Sequence, residues 1–211
     1  MGLRLSKRLL YYDIENTKMT IEMETFGLKQ HSDYLPYDAI KKPPVMICWS
    51  AIWLEDGTTV DNLRMYSAVL TPEEARRGND KRVVAGLWEL MNKADYLVGH
   101  NIKAFDTKKA HLRFMLNRMK APDLSVKQLD TLSLAKKYFK NDSNALGYWL
   151  ACFKNQGKDE MKSEDWDLCK QGDPQALRKM LKYNKQDVRG GARVWLRFRE
   201  YLESGGIHLH I

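Results

Sequence analysis

One stretch constrains this chain more than any other: Leu9-Leu10-Tyr11-Tyr12-Asp13-Ile14-Glu15. An apolar and aromatic run that ends in two carboxylates reads as a buried strand reaching the edge of its sheet. Side chains alternate along a strand, so Asp13 and Glu15 project from the same face. Two carboxylates side by side repel. A fold holds them together when positive charge sits between them, and a divalent cation with oxygen ligands is the usual answer. A strand end with two solvated acids is the plain alternative at this point.

The chain is long enough for one domain with a real core, and residues 1–211 are expected to form a single domain, with a loose tail over 205–211. With 44% hydrophobic and 29% charged residues, composition excludes a disordered or membrane-embedded chain. Lys plus Arg number 35 against 27 Asp plus Glu, and the resulting +8 favours a polyanionic partner. Cys48, Cys152 and Cys169 are widely spaced and form no ligand or disulfide pattern, which fits a reducing, cytoplasmic setting. No secretory signal is visible, and the expected partners include no membrane and no obligate protein. Met1-Gly2-Leu3-Arg4-Leu5-Ser6 matches the loose myristoylation pattern, but a strand follows at once, which argues against lipidation.

Taken in order, the chain reads as follows. Residues 16–44 are irregular, punctuated by Gly27, Pro36, Pro43 and Pro44, with a short strand or hairpin arm at 19–26. This insertion is either a substrate-contacting loop or a surface loop. Residues 45–54 read as a central strand, Asp56-Gly57 as a turn, and 62–69 as a third strand, giving an antiparallel meander. Trp49 and Trp53 are expected in the core. Thr71-Pro72-Glu73-Glu74 has the form of a helix start, and residues 80–93 show helical periodicity. A short strand over 96–99 then requires a crossover and a parallel pairing.

That strand runs into His100-Asn101-Ile102-Lys103-Ala104-Phe105-Asp106 and a basic helix to about residue 120. Asp106 reads either as a cap favoured by the helix dipole or as a ligand, and Phe105 either as core or as a substrate contact. Leu129-Asp130-Thr131 is a further strand before a helix at 132–139, and another helix covers 144–153. Residues 154–165 read as a loop. Asp173-Pro174 opens a late helix with cap and proline in the favoured order. On it Tyr183 and Asp187 lie four apart and share a face. Beyond Gly190-Gly191 the amphipathic pattern continues to Leu202, and His208 and His210 read as solvated.

The sum is an α/β layer arrangement with a mixed sheet. In such sheets strand ends and helix starts converge on one edge, so Asp13, Glu15, Asp106, Tyr183 and Asp187 can meet in space. Four acids at one spot suit Mg²⁺ or Mn²⁺ rather than zinc. Two such ions can bracket a phosphodiester, and a basic surface holds the rest of a nucleic acid.

The triplet Asp13-Ile14-Glu15, the segment Asn101-Ile102-Lys103-Ala104-Phe105-Asp106 and the pair Tyr183 with Asp187 resemble, in order, the three motifs of the DnaQ-like, DEDD-type 3′→5′ exonucleases of the ribonuclease H-like superfamily. Tyr183 matches the tyrosine (DEDDy) branch. The resemblance runs over about residues 8–201, and the pattern is similar to small stand-alone exonucleases of bacteriophage and bacterial genomes. It implies a ribonuclease H-like mixed sheet, antiparallel meander plus parallel strands, flanked by helices. It also implies 3′→5′ release of nucleoside 5′-monophosphates with two Mg²⁺ or Mn²⁺ ions. Asp13 would bridge both ions, Glu15 and Asp187 would complete the first site, Asp106 would hold the second, and Tyr183 would orient the attacking water. Thr17, Asn101 and Phe105 would contact the terminal nucleotide. The chain departs from many relatives in carrying Asn16, and only then Thr17, after the glutamate. Single-stranded DNA is the preferred substrate. An exoribonuclease of the same fold and a retired nucleic-acid-binding module are the alternatives.

Overall fold

The computed structural model describes residues 7–22, 37–55, 57–154 and 160–209. The lipidation pattern, residues 23–36 of the 16–44 insertion, Asp56, residues 155–159 of the 154–165 stretch, and His210 lie outside these residues.

The first strand, β1 (Leu9–Asn16), is the centre of the molecule. Two short strands, β2 (Thr20–Ile21) and β3 (Ile40–Lys42), pair antiparallel as a separate arm. Next come β4 (Met46–Leu54) and β5 (Met65–Val69), then helices α1 (Pro72–Arg77) and α2 (Lys81–Met91). Strand β6 (Tyr96–Gly99), helix α3 (Asp106–Leu116), strand β7 (Lys127–Asp130) and helix α4 (Thr131–Tyr138) follow. The rest is helical: α5 (Leu146–Cys152), α6 (Ser163–Gln171) and α7 (Pro174–Ser204).

The main sheet has the order β5-β4-β1-β6-β7. β5, β4 and β1 form the antiparallel meander expected from their alternation, and β6 and β7 add in parallel after crossovers. This is the mixed, helix-flanked sheet of the ribonuclease H-like class. Alternation along β1 decides what each face meets. Leu10, Tyr12 and Ile14 enter a core with Val83, Leu87 and Phe114, while Leu9 and Tyr11 enter a second one with Val188, Ala192 and Trp195 of α7. Trp49 is buried and its indole N–H donates to the Val83 carbonyl (2.6 Å), and Trp53 is packed on the first core, so both tryptophans are structural.

Helix α7 is one unbroken element, with Asp173 capping the N–H groups of Gln175 and Ala176. It runs antiparallel to β1, since Gly191 lies against Tyr11 while Asn184 bonds Asp13. A methyl group at Gly191 would collide with the Tyr11 phenol, so glycine here allows the close approach of helix to strand. Helix α6 was not anticipated, and its first three residues fall within the 154–165 stretch read as loop. It is held by Lys18, whose ammonium donates to the Ser163 carbonyl (2.7 Å) and to Asp167 (3.0 Å), and by Lys179, which reaches Asp165 (2.7 Å). The tail beyond α7 folds back as far as it is described: the Ile207 N–H donates to the Leu202 carbonyl, and Leu209 packs on the second core. No helix among the described residues is long and apolar enough to cross a membrane.

Candidate metal centre

Three of the expected acids converge. Candidate ligand oxygens of Asp13, Glu15 and Asp187 all lie within 4.8 Å of one another. β1 presents Asp13 and Glu15 on one face because they are two apart, and α7 brings Asp187 down on that face from 172 positions further along the chain than Glu15. Asp13 and Glu15 are half-buried and Asp187 is buried. An oxygen-only set with this spread fits one hard divalent cation, whose ligands sit about 2.0–2.6 Å from the metal and so up to roughly twice that from each other.

Asp106 stands next to this triad and outside it. β6 ends at Gly99, so β1 has no strand partner on that side beyond Tyr11. The Asp106 carboxylate accepts the otherwise open Ile14 N–H (3.2 Å), between Asp13 and Glu15 on the strand. It is therefore tied to the backbone of the strand that carries Asp13 and Glu15. Burial pushes its carboxyl up to about 7, with the Ile14 N–H opposing that rise and Asp130 adding to it. Tyr11, buried behind the site, has its phenol raised far above its ordinary value, first by burial and then by the charges of Asp13, Asp106 and Asp187.

The acids open into a cleft of about 550 Å³. Asp13, Glu15, Asp106 and Asp187 line it together with Asn101 and Phe105. Phe105 is 43% exposed and carries the Lys109 ammonium 5.8 Å from its ring centre, so it is not a core residue. Tyr183 is half-buried one turn before Asp187 on α7 and lies outside the cleft lining. Thr17 is also outside. It is buried, its N–H donates to the Val45 carbonyl (2.9 Å) and its hydroxyl oxygen accepts the Val45 N–H (3.0 Å). Thr17 thereby clasps the chain just after β1 to Val45, the residue before β4.

Sequence reasoning missed four residues. Asn184 is fully buried and its amide donates to Asp13 Oδ2 (2.7 Å), fixing the rotamer of the first acid. Asp130 holds the loop after β6: its carboxylate accepts from the N–H groups of Asn101 (2.8 Å), Lys103 (3.3 Å) and Leu132 (2.9 Å). Asn101 sits at φ 65°, a left-handed conformation that asparagine adopts more readily than most residues. His100 and Asn144 also line the cleft, and His100 Nδ1 lies 2.9 Å from the Thr131 hydroxyl. Burial lowers the His100 imidazole below its ordinary value. Asn184 and His100 stood within or beside the recognised motifs. Nothing in the sequence set them apart from helix-surface and loop residues.

Fold and site together give a mixed α/β protein, its sheet compatible with a ribonuclease H-like fold, with an acidic, oxygen-only candidate metal centre at the sheet edge. No protein-family model matches the chain, and no curated protein matches it. Among solved structures it is similar to a family B DNA polymerase from the hyperthermophilic archaeon Pyrobaculum calidifontis, with a TM-score of 0.58 at 15% identity over 96% of this chain. The match covers 25% of that polymerase chain, so the present chain spans about a quarter of its length. At this identity the likeness establishes the fold.

Proposed function

We propose that this chain is a metal-dependent 3′→5′ exonuclease that hydrolyses phosphodiester bonds from the 3′ end of nucleic acid, preferentially single-stranded DNA, and releases nucleoside 5′-monophosphates. One observation carries the reading: Asp13, Glu15 and Asp187 offer oxygens within 4.8 Å of one another in a cleft that Asp106 also lines. Divalent ions, Mg²⁺ or Mn²⁺ and two per site, would neutralise phosphodiester charge and acidify the attacking water. Asp13, Glu15 and Asp187 would hold the first ion, and Asp13 with Asp106 the second. Asn184 keeps Asp13 oriented for that task. Tyr183 would orient the attacking water by a hydrogen bond. A phenol with an ordinary pKa of about 10 stays protonated at neutral pH and is not the base. Asn101 and Phe105, at the cleft wall, would receive the terminal nucleotide.

The test is stepwise shortening of a 5′-labelled single strand with Mg²⁺ or Mn²⁺. Asp13→Ala and Asp187→Ala are each expected to abolish it, and persistence of shortening in both rejects the site. Matched DNA and RNA strands digested side by side measure the sugar preference, and a faster RNA reaction would replace the DNA assignment with an exoribonuclease.

A further inference from the structure

Helix α3 turns Ala110 and Phe114 into the first core, and its outer face carries a different pattern. Phe105, Lys108, Lys109, Leu112, Met115 and Leu116 recur at intervals of three and four, so they form one stripe. Its apolar members are far more exposed than such residues usually are: Leu112 44%, Met115 66% and Leu116 55%. The stripe begins at Phe105, which also lines the acidic cleft, and at about 1.5 Å per residue it extends roughly 16 Å along α3. Residues 101–120 contain Lys103, Lys108, Lys109, Arg113, Arg118 and Lys120 against a single acid, Asp106. Of the six cations, Arg113 is bound to Asp80.

We propose that this stripe is the track on which the single strand lies 5′ of the bond being cut. The proposal rests on the exonuclease reading for its direction, since the strand would run from α3 into the cleft at Phe105. Lysines on the stripe take phosphates, and Leu112, Met115 and Leu116 take the faces of successive bases. A protein-docking patch concentrates its apolar residues at the centre and keeps charge at the rim. Here the two lysines sit within the line, between Phe105 and the group Leu112, Met115 and Leu116, rather than around its rim, and the line is continuous with the cleft.

The experiment pairs binding with hydrolysis. Affinity for a labelled thymidine strand of about twenty nucleotides is measured in chelator over a salt series. Hydrolysis of that strand and of a thymidine dinucleotide is then measured with Mn²⁺. Lys108→Ala with Lys109→Ala is expected to reduce the slope of log affinity against log salt by about 1.4, two phosphates at roughly 0.7 each. Leu112→Ser with Met115→Ser is expected to weaken binding about tenfold at an unchanged slope. Both variants should raise KM on the long strand and leave the dinucleotide reaction intact. Long-strand affinity and slope equal to the parent's overturn the proposal, as does an equal loss on the dinucleotide. It also falls if the serine variant only converts an associated parent protein into monomers. A parent protein that hydrolyses neither substrate refutes the nuclease reading, while the binding series in chelator still decides the track.

Discussion

At the residue scale, Asp13 is held by a neighbour that itself carries no charge. Asn184 donates to one oxygen of Asp13 from a fully buried position. Groups that orient ligands in this way typically contribute about 10–100-fold in metal affinity or activity. Asn184→Ala is therefore expected to fold and to lose activity and apparent Mn²⁺ affinity in that range, as read from a metal titration of the hydrolysis rate. An unchanged titration would make Asn184 a packing residue only. His100 gives a pH-dependent outcome. Its folded-state value lies below the ordinary one because burial disfavours the imidazolium. Below about pH 6.5 the unfolded chain thus binds more protons at this position than the folded one, and stability falls as pH falls through that window. Urea melts of the metal-free protein at pH 7.5 and 5.5 should show a smaller loss in His100→Gln than in the parent. Equal losses would remove His100 from the account.

At the element scale, one buried ion pair registers three pieces of the fold. Asp80 is fully buried just ahead of α2 and accepts from Arg113 through two nitrogens (2.6 and 2.7 Å) and from Asn117 (2.9 Å), both on or after α3. It also accepts the Met46 N–H (2.8 Å) at the start of β4. Removing one partner of such a pair leaves the other charge buried without compensation, a loss of about 3–5 kcal/mol. Asp80→Ala is expected to lower unfolding free energy by that order in denaturant melts. A change under about 1 kcal/mol, the range of an exposed pair, would show that the network relaxes into water. The sequence offered no hint of this pairing, because Asp80 and Arg113 are separated by a strand and a crossover. The start of helix α1, by contrast, was legible: Thr71 and Glu74 form the reciprocal cap of a helix start.

At the scale of the whole molecule, the acidic centre joins the first strand to the last helix. A cation that binds only the folded chain stabilises it by RT ln(1 + [L]/Kd), about 2.7 kcal/mol at a hundredfold excess over Kd. Mn²⁺ is therefore expected to raise the melting temperature of the parent protein and to leave that of Asp187→Ala almost unmoved. Equal shifts in the two proteins would mean that the ion binds elsewhere.

What the sequence determined by itself was the alternation of β1 and its terminal pair of acids, the antiparallel order of the first three long strands, and the placing of Tyr183 and Asp187 one turn apart on the late helix. These are local patterns of period two or four, and the chain carries them wherever it folds. Residues 163–165, read as the end of a loop, instead begin a helix, because a polar segment becomes helical there only through long-range clamps such as Lys18 on Ser163. Tertiary structure alone decided that Asp106 bonds the strand backbone, that Thr17 is a clasp, and that Asn184 and Asp130 position the groups around the cleft. Each of those outcomes depends on which backbone donor is left open when distant elements pack, and no local pattern records that.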